Sequence, residues 1–106
     1  LTLGVFETDD PYSCGIVDFD EYTGEIFGFE EKPLKPKSNM ANAGIYFMEP
    51  EVFEYFPDRF CDLGKDVIIR VPNKYAFSFK DYYLKDIGTI ENYNQVNEDI
   101  KNGIFI

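Results

Sequence analysis

Alternating apolar and polar residues run through the first half of the chain and predict a β-sheet. Strands are expected at Leu1 to Glu7, Gly15 to Phe19, Glu25 to Glu30 and Ala43 to Met48. The second and third strands should form a hairpin around the turn-forming segment 20–24. Residues 33–40 are polar and contain two prolines, so they are expected to form a loop.

The second half of the chain adds helical signals to further strands. Helices are expected from Pro50 to Tyr55, from Leu63 to about Arg70 with Asp62 as cap, and from the cap Thr89 to Gly103. Strands are expected from Tyr75 to Phe79 and from Tyr83 to Asp86. The last helix has an apolar stripe at helical spacing, predicted to be core: Ile90, Tyr93, Val96 and Ile100. This mixture predicts an α/β or α+β sheet covered by helices, with some strands needing partners from outside the chain.

Composition restricts the class of protein. The chain has 106 residues and is 44% hydrophobic and 18% aromatic, which suits one small domain or part of a larger one. Its net charge is −10, which disfavours nucleic acid and anionic membranes as partners. Because Leu1 lies inside an apparent strand and is not methionine, we expect the chain to be cut from a longer protein.

Cysteine and histidine usage exclude several kinds of site. The sequence contains no histidine, so a Ser-His-Asp or Cys-His mechanism cannot be built within it. Cys14 and Cys61 form no CxxC pair, so a zinc site is not expected, and we predict two free thiols in a cytoplasmic protein rather than a disulfide. No run of apolar residues reaches transmembrane length, and no signal peptide opens the chain.

Three short segments could carry chemistry: Phe29-Glu-Glu-Lys-Pro33, Asn42-Ala-Gly-Ile-Tyr46 and Lys85-Asp-Ile-Gly-Thr89. In the first, Glu31 offers an acceptor for hydroxyl protons and Lys32 a cation for phosphate. In the second, Asn42 offers donors and acceptors, and Gly44 allows a ligand to approach the backbone. In the third, Asp86 should end a strand, where α/β enzymes hold Mg²⁺ and phosphates.

Each segment alone also has an ordinary structural interpretation. The first could be a charged strand end, the second a buried strand with a glycine, and the third a turn with a helix cap. Adjacent strand residues face opposite sides, so Glu31 and Lys32 reach one ligand only if the chain bends there or the ligand wraps the edge. The pair Asp18 and Asp20 resembles a DxD metal motif, but its place at a hairpin turn favours a structural role.

Taken together and in order, these segments resemble the sugar-1-phosphate nucleotidyltransferases, which make nucleotide sugars. Cys14-Gly-Ile-Val17 is similar to the family's strand before F-x-E-K-P, and the segment Asn42–Tyr46 is similar to its G-I-Y strand. Asp66-Val-Ile-Ile69 is similar to the end of its D-V-I-P helix, and Asp86-Ile-Gly-Thr89 is similar to its D-x-G-T motif. The resemblance covers residues 1–97. It implies the C-terminal, sugar-phosphate-binding half of a Rossmann-like α/β fold, a mixed sheet with flanking helices, spanning residues 1–106.

The resemblance also implies a reaction and residue roles. Family members join a sugar-1-phosphate to a nucleoside triphosphate with Mg²⁺ and release pyrophosphate. By analogy Glu31 would bind sugar hydroxyls, Lys32 the sugar phosphate and Asp86 the metal. Gly15 and Asn42 would contact the sugar, with Gly44 beside them.

Departures from the family pattern qualify these expectations. The family's glycine-rich G-G-x-G-T-R-L loop, its second lysine and its upstream G-D aspartate have no counterpart, so the chain alone is expected to be inactive. Cys14 stands where tyrosine is common, and Ile69 replaces a proline. The segment Asn42 to Tyr46 resembles mannose- or heptose-1-phosphate guanylyltransferases, which we favour at this point. Asp62-Leu-Gly-Lys-Asp-Val-Ile68 resembles the glucose-1-phosphate adenylyltransferases, which are the alternative. A glucose-1-phosphate thymidylyltransferase is a further alternative.

Two functions without catalysis stay open. The chain could bind a sugar phosphate as a module, or it could assemble into a homo-oligomer through exposed strand edges.

Overall fold

The structure, a computed structural model, describes residues 1–104 and contains a five-stranded mixed sheet. The strands are β1 (Thr2–Glu7), β2 (Gly15–Phe19), β3 (Ile26–Glu31), β4 (Met40–Phe47) and β5 (Tyr75–Ser78). Their order across the sheet is β3-β2-β4-β1-β5. β5 runs parallel to β1, and the other neighbouring strands are antiparallel. The predicted mixed sheet is therefore confirmed.

The turn of the predicted β2–β3 hairpin is built on Asp20. Its Oδ1 accepts hydrogen bonds from the backbone N–H groups of Tyr22 at 2.8 Å and Thr23 at 2.9 Å, and Gly24 follows with φ of 81°. The bonds from Thr23 and Tyr22 lower the pKa of Asp20 below its usual value, because they stabilise the charged carboxylate. Asp20 is thus a turn residue, whereas Asp18 lies within β2 and pairs with Gly28 on β3.

The sheet curls so that its two edge strands meet at one end. Glu25 forms an isolated bridge with Tyr75, and the backbone N–H of Ala76 donates to Gly24 O at 2.7 Å. Inside the curl lies the main core, made of Leu3, Val5, Val17, Ile26 and Ile68. The contact of residues 24–25 with β5 covers part of the two sheet edges, β3 and β5, that we expected to be exposed.

The predicted helix after Asp62 forms as two irregular turns. Residues Leu63–Val67 make a single π-helical turn, and Ile68–Arg70 continue it as a 3-10 turn. Asp62 caps the segment as predicted, since its Oδ1 accepts from the backbone N–H of Lys65 at 2.9 Å. Val71 then leaves in an extended conformation, because the following Pro72 disfavours a helical residue before it. The expected short helix at Pro50–Tyr55 is a 3-10 helix.

The predicted strand from Tyr83 to Asp86 is wrong. This segment has no secondary structure and pairs with no strand among residues 1–104. A strand needs a neighbour with free backbone groups, and alternation of side chains does not supply one. Instead, the Tyr83 hydroxyl donates to Asp99 Oδ2 at 2.6 Å, which ties the segment to the last helix.

That last helix, α1 (Ile90–Lys101), begins and ends as predicted but does not pack as predicted. Thr89 Oγ1 accepts from the backbone N–H of Asn92 at 3.1 Å, and Gly103 has φ of 67° after the helix end. The apolar stripe is largely exposed, at 81% for Ile90, 55% for Tyr93 and 48% for Ile100. The prediction that this stripe is core is therefore wrong for the described chain, since none of its elements covers the stripe.

The buried carboxylate Asp99 holds α1 to the segment before it. Asp99 accepts hydrogen bonds from the Tyr83 hydroxyl and, at 2.9 Å, from Gln95 Nε2. These bonds, the Tyr83 bond first, lower the pKa of Asp99, and the same contact raises the pKa of Tyr83. Protonation of Asp99 in acid would therefore weaken the attachment of α1.

Two simpler expectations can be compared with the structure directly. Cys14 and Cys61 are both free thiols, as predicted. Within residues 1–104, no helix has the length and apolar character needed to cross a membrane.

Candidate functional site

Glu31 occupies a position where two glycines leave room for its carboxylate. It is the last residue of β3 and pairs with Gly15 on β2. A β-carbon on Gly15 would lie 2.9 Å from Glu31 Oε2, and one on Gly64 would lie 2.7 Å from the same oxygen. The carboxylate therefore lies between strand β2 and the π-helical turn.

Asn42 lies in the same row of the sheet as Gly15 and Glu31. Ile16 pairs with Ala41, so Gly15 comes beside Asn42 one residue further along each antiparallel strand. Residues in one row point to the same face of a sheet. The structure thus brings together three of the predicted sugar-binding residues, although they are far apart in sequence.

The Asn42 side chain is fixed at both ends of its amide. Its Nδ2 donates to Tyr46 Oη at 2.6 Å, and its Oδ1 accepts from the backbone N–H of Gly44 at 3.0 Å. Because the Tyr46 oxygen accepts this bond, its own proton is left to be donated elsewhere. The pair offers a ligand one phenolic donor and the second amide hydrogen of Asn42.

Gly44 forms the centre of a bulge in β4. Leu3 pairs with Tyr46 and Val5 with Asn42, so three residues of β4 oppose Gly4 alone. Gly44 has φ of 75°, which explains the choice of glycine, and a β-carbon there would meet nothing within 4 Å. The role of Gly44 in ligand approach stays a prediction, and its backbone geometry accounts for the residue type.

Lys32 supplies the bend that a shared ligand requires. Its φ is 47°, which is uncommon for a residue with a side chain, and its backbone N–H donates to Cys14 O at 2.9 Å. Strand alternation therefore stops directly after Glu31. Such left-handed positions cost conformational energy and are concentrated at functional sites. The exposed Lys32 side chain therefore does not have to point to the face opposite Glu31, as it would in a regular strand.

Asp86 lies in an exposed turn and not at the end of a strand, which corrects the expected placement. Its Oδ1 accepts from the backbone N–H of Gly88 at 2.7 Å. Within residues 1–104, no hydrogen bond or ion pair joins Asp86 to Glu31, Lys32 or Asn42. The turn bond leaves Oδ2 as an oxygen donor of the kind that Mg²⁺ prefers.

A complete metal-binding cluster is absent from the described residues. No group of three or more His, Cys, Asp or Glu side chains among residues 1–104 converges in a way that could hold a metal ion. The assignment of Asp86 to Mg²⁺ stays a prediction. A single carboxylate would suit an ion that takes one or two carboxylates and fills its other positions with water and phosphate oxygens.

Sequence reasoning missed three residues of this site. The Phe29 ring lies under Gly15, 2.6 Å from where its β-carbon would be, and Gly64 and Tyr46 contact Glu31 and Asn42 as described. A glycine inside the helical pattern of Leu63 to Arg70 was the available signal for Gly64, since such a glycine often marks close packing. No local signal links Tyr46 to Asn42 beyond their alternation on one strand.

The chain is similar to known proteins in sequence. The sequence profile of the family described as "Nucleotidyl transferase" matches residues 1–103. The chain is 40% identical to a glucose-1-phosphate adenylyltransferase from Thermotoga maritima, over 80% of this chain and 22% of that protein. It is 36% identical to a glucose-1-phosphate adenylyltransferase from Clostridium acetobutylicum, over 93% of this chain and 29% of that protein.

A solved structure shares the fold. A crystal structure described as a glucose-1-phosphate thymidylyltransferase from Bacillus anthracis, in complex with sucrose, superposes with a TM-score of 0.74 at 23% identity. The match covers 92% of this chain and 42% of that one. The chain spans between a fifth and a third of the length of the curated relatives named above. Its sequence and fold show that the chain belongs to the nucleotidyl transferase family, among the sugar-1-phosphate nucleotidyltransferases.

Proposed function

We propose that this chain is the sugar-phosphate-binding C-terminal part of a cytoplasmic glucose-1-phosphate nucleotidyltransferase that uses ATP. The observation that carries the proposal is the row of Glu31, Gly15 and Asn42 on one sheet face, with the bend at Lys32 directly beside it. The carboxylate, amide and phenol groups can form hydrogen bonds with the hydroxyl groups of a sugar. The ammonium group of Lys32 can bind the phosphate at the end of the same ligand.

The proposed reaction asks little covalent chemistry of these residues. An oxygen of the sugar phosphate attacks the α-phosphorus of the nucleoside triphosphate, and the bond to pyrophosphate breaks. Glu31 would accept sugar hydroxyl protons, Asn42 with Tyr46 would orient the ring, and Lys32 would bind the phosphate oxygens. Asp86 would be one ligand of Mg²⁺, which neutralises phosphate charge when bound.

The choice of glucose and adenylyl rests on the relatives. Both named curated relatives are glucose-1-phosphate adenylyltransferases, which favours the alternative over the guanylyl preference drawn from Asn42 to Tyr46. The thymidylyltransferase described above supports glucose-1-phosphate but not the choice of nucleotide.

Substrate pairs distinguish these options. In the nucleotidyltransferase that contains this chain, we expect kcat/KM for pyrophosphate release to be highest with glucose-1-phosphate and ATP. The comparison pairs are glucose-1-phosphate with dTTP and mannose-1-phosphate with GTP. A preference for mannose-1-phosphate and GTP would restore the guanylyl interpretation. Pyrophosphate release by the 106-residue chain alone would contradict the proposal that its triphosphate-binding part lies elsewhere.

Replacement of Lys32 tests its assignment to the sugar phosphate. Lys32→Ala is expected to raise KM for the sugar phosphate about 10-fold or more, since a hydrogen bond to a charged group contributes about 1.5–3 kcal/mol. KM for the nucleotide should change much less. Lys35→Ala, which removes another exposed lysine of the same loop, is the control and should leave both constants unchanged. Equal effects of Lys32→Ala on both substrates would count against the assignment.

A further inference from the structure

We infer that Gly64 is a positioning residue: its lack of a side chain sets where the Glu31 carboxylate lies, and so tunes affinity for the sugar phosphate. The inference rests on the proposed function of Glu31. Gly64 is buried, and a β-carbon there would lie 2.7 Å from Glu31 Oε2 and 3.2 Å from Phe29 Cε1. The first distance is too short for any real contact, so the Glu31 oxygen and a side chain at 64 cannot keep these positions together.

The turn that carries Gly64 is stabilised by hydrogen bonds within it, and the residues that follow, Val67 and Ile68, are buried in the core. Asp62 Oδ1 accepts from the backbone N–H of Lys65 at 2.9 Å, and Asp66 Oδ2 accepts from the backbone N–H of Asp62 at 2.7 Å. Arg59 lies 3.2 Å from Asp66 Oδ1 and anchors that carboxylate further. The bond from Asp62 and then the contact with Arg59 lower the pKa of Asp66, which keeps the carboxylate charged.

The Glu31 side chain is the movable partner. Its Oε2 is the far end of a flexible side chain, whereas Gly64 belongs to a hydrogen-bonded turn. An added methyl group at 64 should therefore displace the carboxylate most. Phe29 Cε1 at 3.2 Å and Asp62 Oδ1 at 3.3 Å need to shift by only a few tenths of an ångström, so the fold should stay in place. The backbone of Gly64 does not have a positive φ, so alanine can adopt its conformation. Gly15 makes a poorer probe, because a β-carbon there would lie 2.6 Å from the rigid Phe29 ring.

Gly64→Ala in the intact nucleotidyltransferase tests this directly. We expect KM for the sugar phosphate to rise about 10-fold, because small misplacements of a binding group are costly. KM for the nucleotide and the melting temperature should change little. The matched control is Gly28→Ala on β3, where a β-carbon would meet only Asp18 Cβ at an ordinary 3.6 Å. Gly28→Ala should leave all three quantities unchanged.

A double-mutant cycle with Glu31→Asp separates positioning from other effects. The shorter aspartate does not reach the methyl group, so Gly64→Ala should change KM less than about 2-fold in that background. If Gly64→Ala raised KM equally with glutamate and with aspartate at 31, or raised both substrate constants together, the inference would be overturned. Gly64→Ala could also lower the melting temperature through a clash with Glu31. In that case Glu31→Asp should restore the melting temperature, and failure to restore it would also overturn the inference.

The same experiment distinguishes failure of the proposed function. Glu31→Asp alone should raise KM for the sugar phosphate, because the carboxylate is withdrawn from its position. If it does not, the assignment of Glu31 to the sugar is wrong, and the inference about Gly64 fails with it. If Glu31→Asp has its expected effect and Gly64→Ala has none, the proposed function stands and only the inference fails.

Discussion

Asp86→Asn is expected to lower kcat of the intact nucleotidyltransferase about 100-fold or more, while the protein stays folded. Loss of groups that merely support a metal ligand often costs about 10- to 100-fold, so loss of the ligand charge itself should cost at least as much. The amide oxygen of asparagine can still accept the bond that Gly88 N–H now donates to Asp86 Oδ1 at 2.7 Å. The turn before α1 should therefore survive the replacement.

Two measurements on the Asp86 variant are decisive together. The first is kcat as a function of Mg²⁺ concentration, and the second is the melting temperature. Asp81→Asn is the control, because Asp81 is also exposed but has no place in the proposed site. A variant with lowered stability whose folded fraction turns over normally would make Asp86 a turn residue only.

Ile68→Ala is expected to lower the free energy of unfolding by about 2–5 kcal/mol, the usual cost of emptying a core position. Ile68 is 0% exposed and packs in the cluster with Leu3, Val5, Val17 and Ile26. It joins the π-helical segment to the curled sheet, so a cavity there also loosens the turn that carries Gly64. Since small domains are stable by only about 5–15 kcal/mol, this loss is a large share of the total.

The neighbouring isoleucine provides a matched control. Ile69 carries the same side chain one residue further along but is 52% exposed. Ile69→Ala should change the free energy of unfolding by no more than about 0.5–1 kcal/mol. Urea unfolding of both variants measures the difference. Similar losses for the two variants would contradict the assignment of Ile68 to the core.

Local signals in the sequence were sufficient for most elements. Asp62 and Thr89 were predicted as caps, and both accept the expected backbone hydrogen bonds. The hairpin from Gly15 was also predicted, because its turn chemistry is contained in a few adjacent residues. In each case the determining interaction joins residues that are close in sequence.

The rest depended on contacts between distant residues. The row of Glu31, Gly15 and Asn42 follows from strand order and register, which alternation does not specify. The approach of Gly64 to Glu31 joins residues that are 33 positions apart in the chain. The strand predicted from Tyr83 to Asp86 was wrong for the same reason, since whether a neighbour exists is a property of the whole sheet.

The weak attachment of α1 has a consequence for amide hydrogen exchange. Within residues 1–104 the helix has an exposed apolar stripe, and the bond between Tyr83 and Asp99 joins it to the preceding segment. β1, in contrast, lies between β4 and β5, and three of its six residues are buried. Opening free energies within one protein range from near zero to the global value, according to how much buried contact each unit shares. We therefore expect the backbone amides of α1 to belong to a separate, easily opened unit, and those of β1 to exchange only when the sheet itself comes apart.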